Sequence, residues 1–165
     1  MKTTPHCSAT AFGLLDAIGT NVFHLGDVGS GAIVKLMNNM IALSIGPLLD
    51  EAVVVAAKAG IAPQTLYEVM SVSSAGQLVR GLPRLFRRNF EDASFALALA
   101  RKDIGLAVAA GRDLGVPMPV AAAAEQVYEW AKGAGLAQKN SLATLLLYEQ
   151  AAGVEIRAEE QPAQA

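Results

Sequence analysis

Apolar residues recur at three- and four-residue intervals along most of this chain, the periodicity of one helix face. Leu78, Leu82 and Leu85 follow it, as do Leu142, Leu145 and Leu146. The longest such stretch predicts a helix over residues 32–59, about 40 Å long at a rise of 1.5 Å per residue. Gly60 stops it, and Pro63 opens a short helix through residue 70. Further helices are predicted over residues 76–87, 96–114, 119–134 and 141–152. Pro47 falls in mid-helix, where it removes a backbone donor and crowds the preceding turn. That predicts a kink between Leu43 and Pro47.

The first residues read differently. Residues 11–18 are helix-like and end at Gly19, and Asn21-Val22-Phe23-His24-Leu25 reads as a short strand bounded by glycines. A lone strand cannot satisfy its edges, so this helix and strand look like the end of something larger. The tail from Ala158 is rich in Glu, Gln and Ala and is expected to fray. The predicted fold class is therefore all-α: several helices around one long, kinked helix, with a residual N-terminal helix and strand. Residues 1–28 form the residual part, 29–157 the helical domain and 158–165 the tail.

Composition strengthens the helical reading. Of 165 residues, 31 are Ala and 20 are Leu, the best helix formers, while aromatic residues are only 5%. A formal net charge of −2 gives no electrostatic basis for binding nucleic acid. The longest charge-free run in a helical pattern, residues 36–49, includes Asn38, Asn39, Gly46 and Pro47. It falls short of the roughly 18 apolar residues a membrane span needs. The first seven residues lack the apolar core of a signal peptide, and the lone Cys7 cannot form an internal disulfide. A cytoplasmic protein is expected. Two histidines and one cysteine make a His/Cys metal site improbable.

The segment richest in chemistry is Gly29-Ser30-Gly31-Ala32-Ile33-Val34-Lys35-Leu36-Met37-Asn38-Asn39. Two glycines before a helix let a ligand approach backbone amides at its positive end. Lys35, Asn38 and Asn39 stand at i, i+3 and i+4, which sets an ammonium and two carboxamides on one helix face. Among Ile33, Val34, Leu36, Met37 and Met40, such groups suit a pocket for a polar, anionic small molecule. The same spacing also fits a solvated lysine beside capping asparagines. Phe95, Leu99, Lys102 and Asp103 enter the helix over 96–114, and on spacing alone Lys102 and Asp103 form an ion pair facing solvent. Arg84, Arg87 and Arg88 read as a solvated face or as partners for Glu91 and Asp92. No Gly-x-Gly-x-x-Gly loop and no Walker-type phosphate loop is present.

Joined together, the pattern G-x-G-x-x-x-K-x-x-N-N, then Glu51-Ala52 and Ala59-Gly60, then F-x-x-x-L-x-x-K-D, resembles the β-hydroxyacid dehydrogenase family. That family includes 3-hydroxyisobutyrate dehydrogenase and tartronate semialdehyde reductase, with a C-terminal domain like that of 6-phosphogluconate dehydrogenase. The likeness runs from about Gly19 to Arg157. The family has an N-terminal Rossmann domain followed by an all-helical domain around a long helix, so the resemblance implies the helical half preceded by the end of a Rossmann domain. It implies Lys35 as the catalytic lysine, with Asn39, Asn38 and Gly31 binding substrate. Lys102 and Phe95 would lie beside the nicotinamide cofactor, NAD or NADP, with none bound tightly by this chain alone. A small hydroxy acid or semialdehyde substrate, a homodimer and a separate Rossmann domain are the implied partners. Gly46-Pro47 inside the long helix departs from the family pattern. A non-catalytic helical dimerisation or binding module of the same descent is the alternative.

Overall fold

A computed structural model of the chain describes residues 13–15 and 17–157. The chain divides into two compact units, Met1–Lys35 and Leu36–Ala165. In the first, Gly13–Leu15 are helical, while Ala11, Phe12 and Asp16 of the predicted N-terminal helix lie outside the described residues, as does Cys7. Residues 21–25 are irregular rather than a strand. No strand among the described residues offers them a ladder to join, and a single strand leaves its backbone groups unpaired. Gly26 and Gly29 take φ of +105° and +101° as the chain turns into the long helix.

That helix, α1, is Ser30–Lys58. Its C-terminus closes as a Schellman motif: Gly60 at φ +80° donates to Ala57, and the Ile61 N–H donates to Ala56 at 2.9 Å. Next come α2 (Pro63–Ser71), a 3₁₀ turn at Val79–Gly81, and α3 (Leu82–Phe86). Two longer helices follow, α4 (Leu97–Asp113) and α5 (Pro119–Gly133), then a 3₁₀ turn at Ser141–Thr144 and α6 (Leu145–Ala152). The two helices expected over 76–87 and 141–152 are each broken in this way. Pro83 restarts the first, because it has no N–H to continue the preceding turn. Buried Asn140 starts the second, its side-chain oxygen accepting the Leu142 N–H at 3.1 Å.

The core of the second unit is built on small residues. On α4, Ala100, Ile104 and Ala107 are buried, and on α5, Ala121, Ala124, Tyr128 and Ala131. Alanine at helical spacing on both partners lets the two helices approach closely, which gives the alanine content a structural reason. Gly111 shows how tight the joining turn is, since a Cβ there would sit 2.4 Å from Met118 and 3.2 Å from the Val116 carbonyl. Leu82, Leu85, Phe86 and Phe90 fill the remaining space together with Val53, Val54, Leu145, Leu147 and Ile156.

Pro47 does not end α1, which continues to Lys58. A proline at this position leaves the carbonyl four residues earlier without its helical donor. That carbonyl belongs to Leu43, and the hydroxyl of buried Tyr128 donates to it at 3.0 Å. Gly46 makes room for this clasp, because a Cβ there would lie 3.2 Å from the same hydroxyl. Among the described residues α1 is also the one helix long and apolar enough to cross a membrane, with 28% of its apolar window buried in the protein.

Candidate functional site

Three residues from two helices form a polar cluster in the second unit. Asn39 on α1 donates from Nδ2 to Oδ2 of Asp103 on α4 at 2.8 Å. Lys102 Nζ stands 3.6 Å from the other carboxylate oxygen, Oδ1. Asp103 is only 5% exposed, whereas the Lys102 side chain is 57% exposed. A carboxylate buried on an apolar helix face needs partners of this kind to offset its lost hydration. The arrangement also settles which way the Asn39 amide points, because a carboxylate accepts only from the NH₂ group. One N–H of Asn39 is held by Asp103, and the second is free by valence to donate elsewhere. Asn38 lies beside it, exposed, with Nδ2 3.4 Å from Asn39 Oδ1.

The two motif segments read from the sequence are thus joined through Asn39 and Asp103, 64 positions apart. Asp103 was read only as half of a solvent-facing ion pair with Lys102, and the structure corrects this: its carboxylate is buried and bound to Asn39. A signal was present in the sequence. Asp103 sits three residues after Ala100 and four before Ala107, in the buried register of α4, where a carboxylate requires a distant donor. Phe95 is half-buried and packs against the hydrophobic core just before α4, and its carbonyl accepts the Ser141 N–H at 2.9 Å. Asn140 steadies that segment by donating to the Asp92 carbonyl at 2.7 Å. Gly31 and Lys35 belong to the first unit and are both exposed. Lys35 precedes Asn39 by four residues on α1.

Arg88 is elsewhere than expected. It pairs with Glu149 through both guanidinium nitrogens, donates to the Ile156 carbonyl at 2.9 Å, and lies over the Phe90 ring. Glu91 is met by Lys139 instead. Among the described residues no group of three or more His, Cys, Asp or Glu side chains could hold a metal.

A sequence model of the family "NAD-binding of NADP-dependent 3-hydroxyisobutyrate dehydrogenase" matches residues 29–148. The chain belongs to the 3-hydroxyisobutyrate dehydrogenase family. It is 32% identical over 145 residues to 2-(hydroxymethyl)glutarate dehydrogenase of Eubacterium barkeri, covering 87% of this chain and 48% of that protein. With 3-sulfolactaldehyde reductase of Escherichia coli K12 it shares 31% identity over 143 residues, 86% of this chain and 48% of the relative. The crystal structure of 3-hydroxyisobutyrate dehydrogenase from Salmonella typhimurium superposes with a TM-score of 0.75 at 26% identity, over 85% of this chain and 51% of that one. The chain therefore spans about half the length of these relatives. The family consists of NAD(P)-dependent hydroxyacid dehydrogenases, and the present all-helical fold matches about half of the Salmonella structure.

Proposed function

We propose that this chain is the substrate-binding and catalytic-lysine half of an NAD(P)-dependent hydroxyacid dehydrogenase. The observation that carries the reading is the Asn39–Asp103–Lys102 cluster, in which both family motifs meet. Asn39, oriented by Asp103, offers an N–H to a substrate carboxylate or hydroxyl, and Asn38 and the Gly31 backbone add further donors. Lys35 gives or takes the proton at the oxygen being reduced or oxidised, the role for which an exposed ammonium at this place on α1 is suited. The Lys102 ammonium and the neutral amides of Asn38 and Asn39 favour a small anionic substrate, a hydroxy acid or a semialdehyde carrying a carboxylate.

For the nicotinamide cofactor the described residues supply an edge rather than a cradle. The Lys102 ammonium is exposed and the Phe95 ring is half-buried, and no glycine-rich phosphate loop is encoded. When bound, the cofactor supplies or accepts hydride, while these residues position substrate and manage the proton. In this reading residues 1–28 are the end of a dinucleotide-binding domain, 29–157 the substrate domain and 158–165 its tail. The dinucleotide-binding half comes from another segment or another polypeptide.

The test is complementation. The chain is mixed with, or fused behind, the dinucleotide-binding half of a relative, and NADH or NADPH oxidation is followed with small 2-oxo acids, 3-oxo acids and carboxylate semialdehydes. Lys35→Ala is expected to lower kcat by about 10²-fold or more, the usual worth of a positioned proton donor, without weakening cofactor binding. A confirmed complex whose turnover is indifferent to Lys35→Ala defeats the proposal.

A further inference from the structure

Residues 69–90 carry four arginines, Arg80, Arg84, Arg87 and Arg88, and no aspartate or glutamate, in a chain whose formal net charge is −2. Arg88 is engaged by Glu149, and Arg84 reaches only a neutral group, the Ser94 hydroxyl at 2.5 Å. Arg80 and Arg87 have no hydrogen-bond or ion-pair partner among the described residues. Arg80, Arg84 and Arg87 are all exposed and follow one another at helical spacing, so a positive ridge runs along α3.

At the head of this ridge, between the end of α2 and the 3₁₀ turn, lies a cavity of about 290 Å³. Its wall is polar. Tyr67, Ser73, Ser74, Gln77 and Arg80 line it, and Val72 is its one aliphatic side chain. No carboxylate faces it. The Arg80 guanidinium, the Gln77 amide and the Ser74 and Tyr67 hydroxyls are all uncommitted among the described residues. The last carbonyls of α2, the negative end of its dipole, are by contrast already engaged. Ser71 Oγ donates to the Glu68 carbonyl at 2.8 Å, Ser73 Oγ to that of Val69 at 2.7 Å, and the Ser73 N–H to that of Met70 at 3.0 Å. Gly76 lets the loop lie against the helix end, since a Cβ there would sit 2.4 Å from the Ser71 carbonyl oxygen.

We propose that this cavity binds a phosphate monoester of a small polyol, with Arg80 holding the phosphate. A guanidinium presents its N–H groups in a fork that matches two phosphate oxygens, and the hydroxyl and amide donors suit the remaining oxygen. At neutral pH such an ester carries close to two negative charges, which Arg84 and Arg87 attract from a distance. The polar wall selects a hydroxylated body over a hydrocarbon one. A lipid headgroup carries the same phosphate chemistry, and the test separates the two sources. None of these residues belongs to the Lys35–Asn39 or Phe95–Asp103 motifs, so the site stands or falls apart from the dehydrogenase reading.

Calorimetric titration of the full chain with glycerol 3-phosphate, at about 150 mM salt to suppress long-range attraction, tests the site. Inorganic phosphate and glycerol serve as references. The ester is expected to bind saturably with Kd about 1 mM or tighter, more tightly than inorganic phosphate, and glycerol is expected not to bind. Arg80→Gln should weaken the ester at least tenfold, and Arg80→Lys, which keeps the charge and loses the fork, should recover part of that loss. Arg112→Gln removes another exposed arginine, at the end of α4, and should change nothing. All three variants should keep the helical circular dichroism of the parent, because both side chains lie at the surface. The proposal is overturned by an absence of saturable binding or by equal loss in Arg80→Gln and Arg112→Gln. It is also overturned by phosphate binding as tightly as its ester, which means an adventitious ion only. Capture by phosphatidylcholine–phosphatidic acid vesicles with no response to the free ester overturns it as well.

Discussion

Asp50 should make this protein less stable as the pH rises through the neutral range, opposite to the usual behaviour of a paired carboxylate. It is 2% exposed, and its close partner is a hydroxyl, with Thr144 Oγ1 2.6 Å from Asp50 Oδ2. Burial pushes its pKa from 3.8 up to about 8, helped by the negative charges of Glu149 and Glu51 and opposed by the Thr144 hydrogen bond. The folded chain therefore holds a proton that the unfolded chain releases above pH 4. Where the native state binds more protons, stability falls as pH rises, here from about 4 to about 8, and levels off beyond. At about 1.4 kcal/mol per pH unit, the fall between pH 5 and pH 8 is roughly 4 kcal/mol, a large share of the stability of an ordinary domain. The geometry shows what changes. Neutral Asp50 donates to Thr144, whose hydroxyl then turns to the Ser141 carbonyl 3.3 Å away; ionised Asp50 claims that hydrogen for itself. Asp50→Asn keeps the shape and cannot ionise. Urea unfolding followed by circular dichroism at pH 5, 6, 7, 8 and 9 should show Asp50→Asn gaining on the parent by that amount between pH 5 and 8. At an m-value of about 2 kcal/mol/M the relative midpoint shift is about 2 M. Parallel pH profiles for the two proteins would mean that Asp50 is already ionised in the folded state, and the reasoning fails.

Other substitutions probe the remaining polar contacts. Tyr128→Phe should cost about 1–2 kcal/mol by stranding the Leu43 carbonyl, and much less in a Pro47→Ala background, where the helix supplies its own donor; a thermal double-mutant cycle reads the difference. Arg88→Met leaves Glu149, 6% exposed, without its cation and should lower stability by about 3 kcal/mol or more in urea unfolding, since a buried charge loses its partner. Asn39→Asp sets a second carboxylate where the amide now donates to Asp103 at 2.8 Å, and should lower Tm in a salt-sensitive way because Lys102, largely in solvent, compensates poorly.

What could be read from the sequence was local. Pro63 and Pro119 occupy the first turns of α2 and α5 because a proline's fixed φ suits that position, and Gly60 ends α1 because φ +80° suits glycine. The i, i+3, i+4 spacing of Lys35, Asn38 and Asn39 on one helix was legible, while a substrate role for Asn39 rested on the family resemblance and not on spacing. What stayed hidden depends on groups far apart in sequence. Nothing local to Arg88 points to Glu149, 61 residues away, rather than to Glu91 and Asp92. The break at Ser141–Thr144 rests on Asn140 as a cap and on the Thr144 contact to Asp50, 94 residues away. Residues 21–25 have strand-like composition, yet composition cannot supply the second strand that would make it matter.

The buried side of the long helix carries polar groups among its apolar ones. At about 100° per residue, Asn39, Leu43, Asp50 and Val53 fall within some 40° of one line, while Ile41, Leu48 and Val55 lie on the opposite side. The inward line thus carries an amide, a carbonyl without its helical donor and a carboxyl beside Val53, and the outward line carries Ile41, Leu48 and Val55. Each inward group is met by a different element: Asn39 by Asp103 on α4, the Leu43 carbonyl by Tyr128 on α5, and Asp50 by Thr144 ahead of α6. Rotating α1 by one residue would break all three at once, and sliding it by one turn would do the same. Three polar contacts, one buried and two partly buried, at three heights therefore fix both the rotation and the axial position of this helix far more sharply than apolar packing alone, which tolerates small slips. With the helix so registered, the outward apolar stripe is a fixed feature of the folded chain.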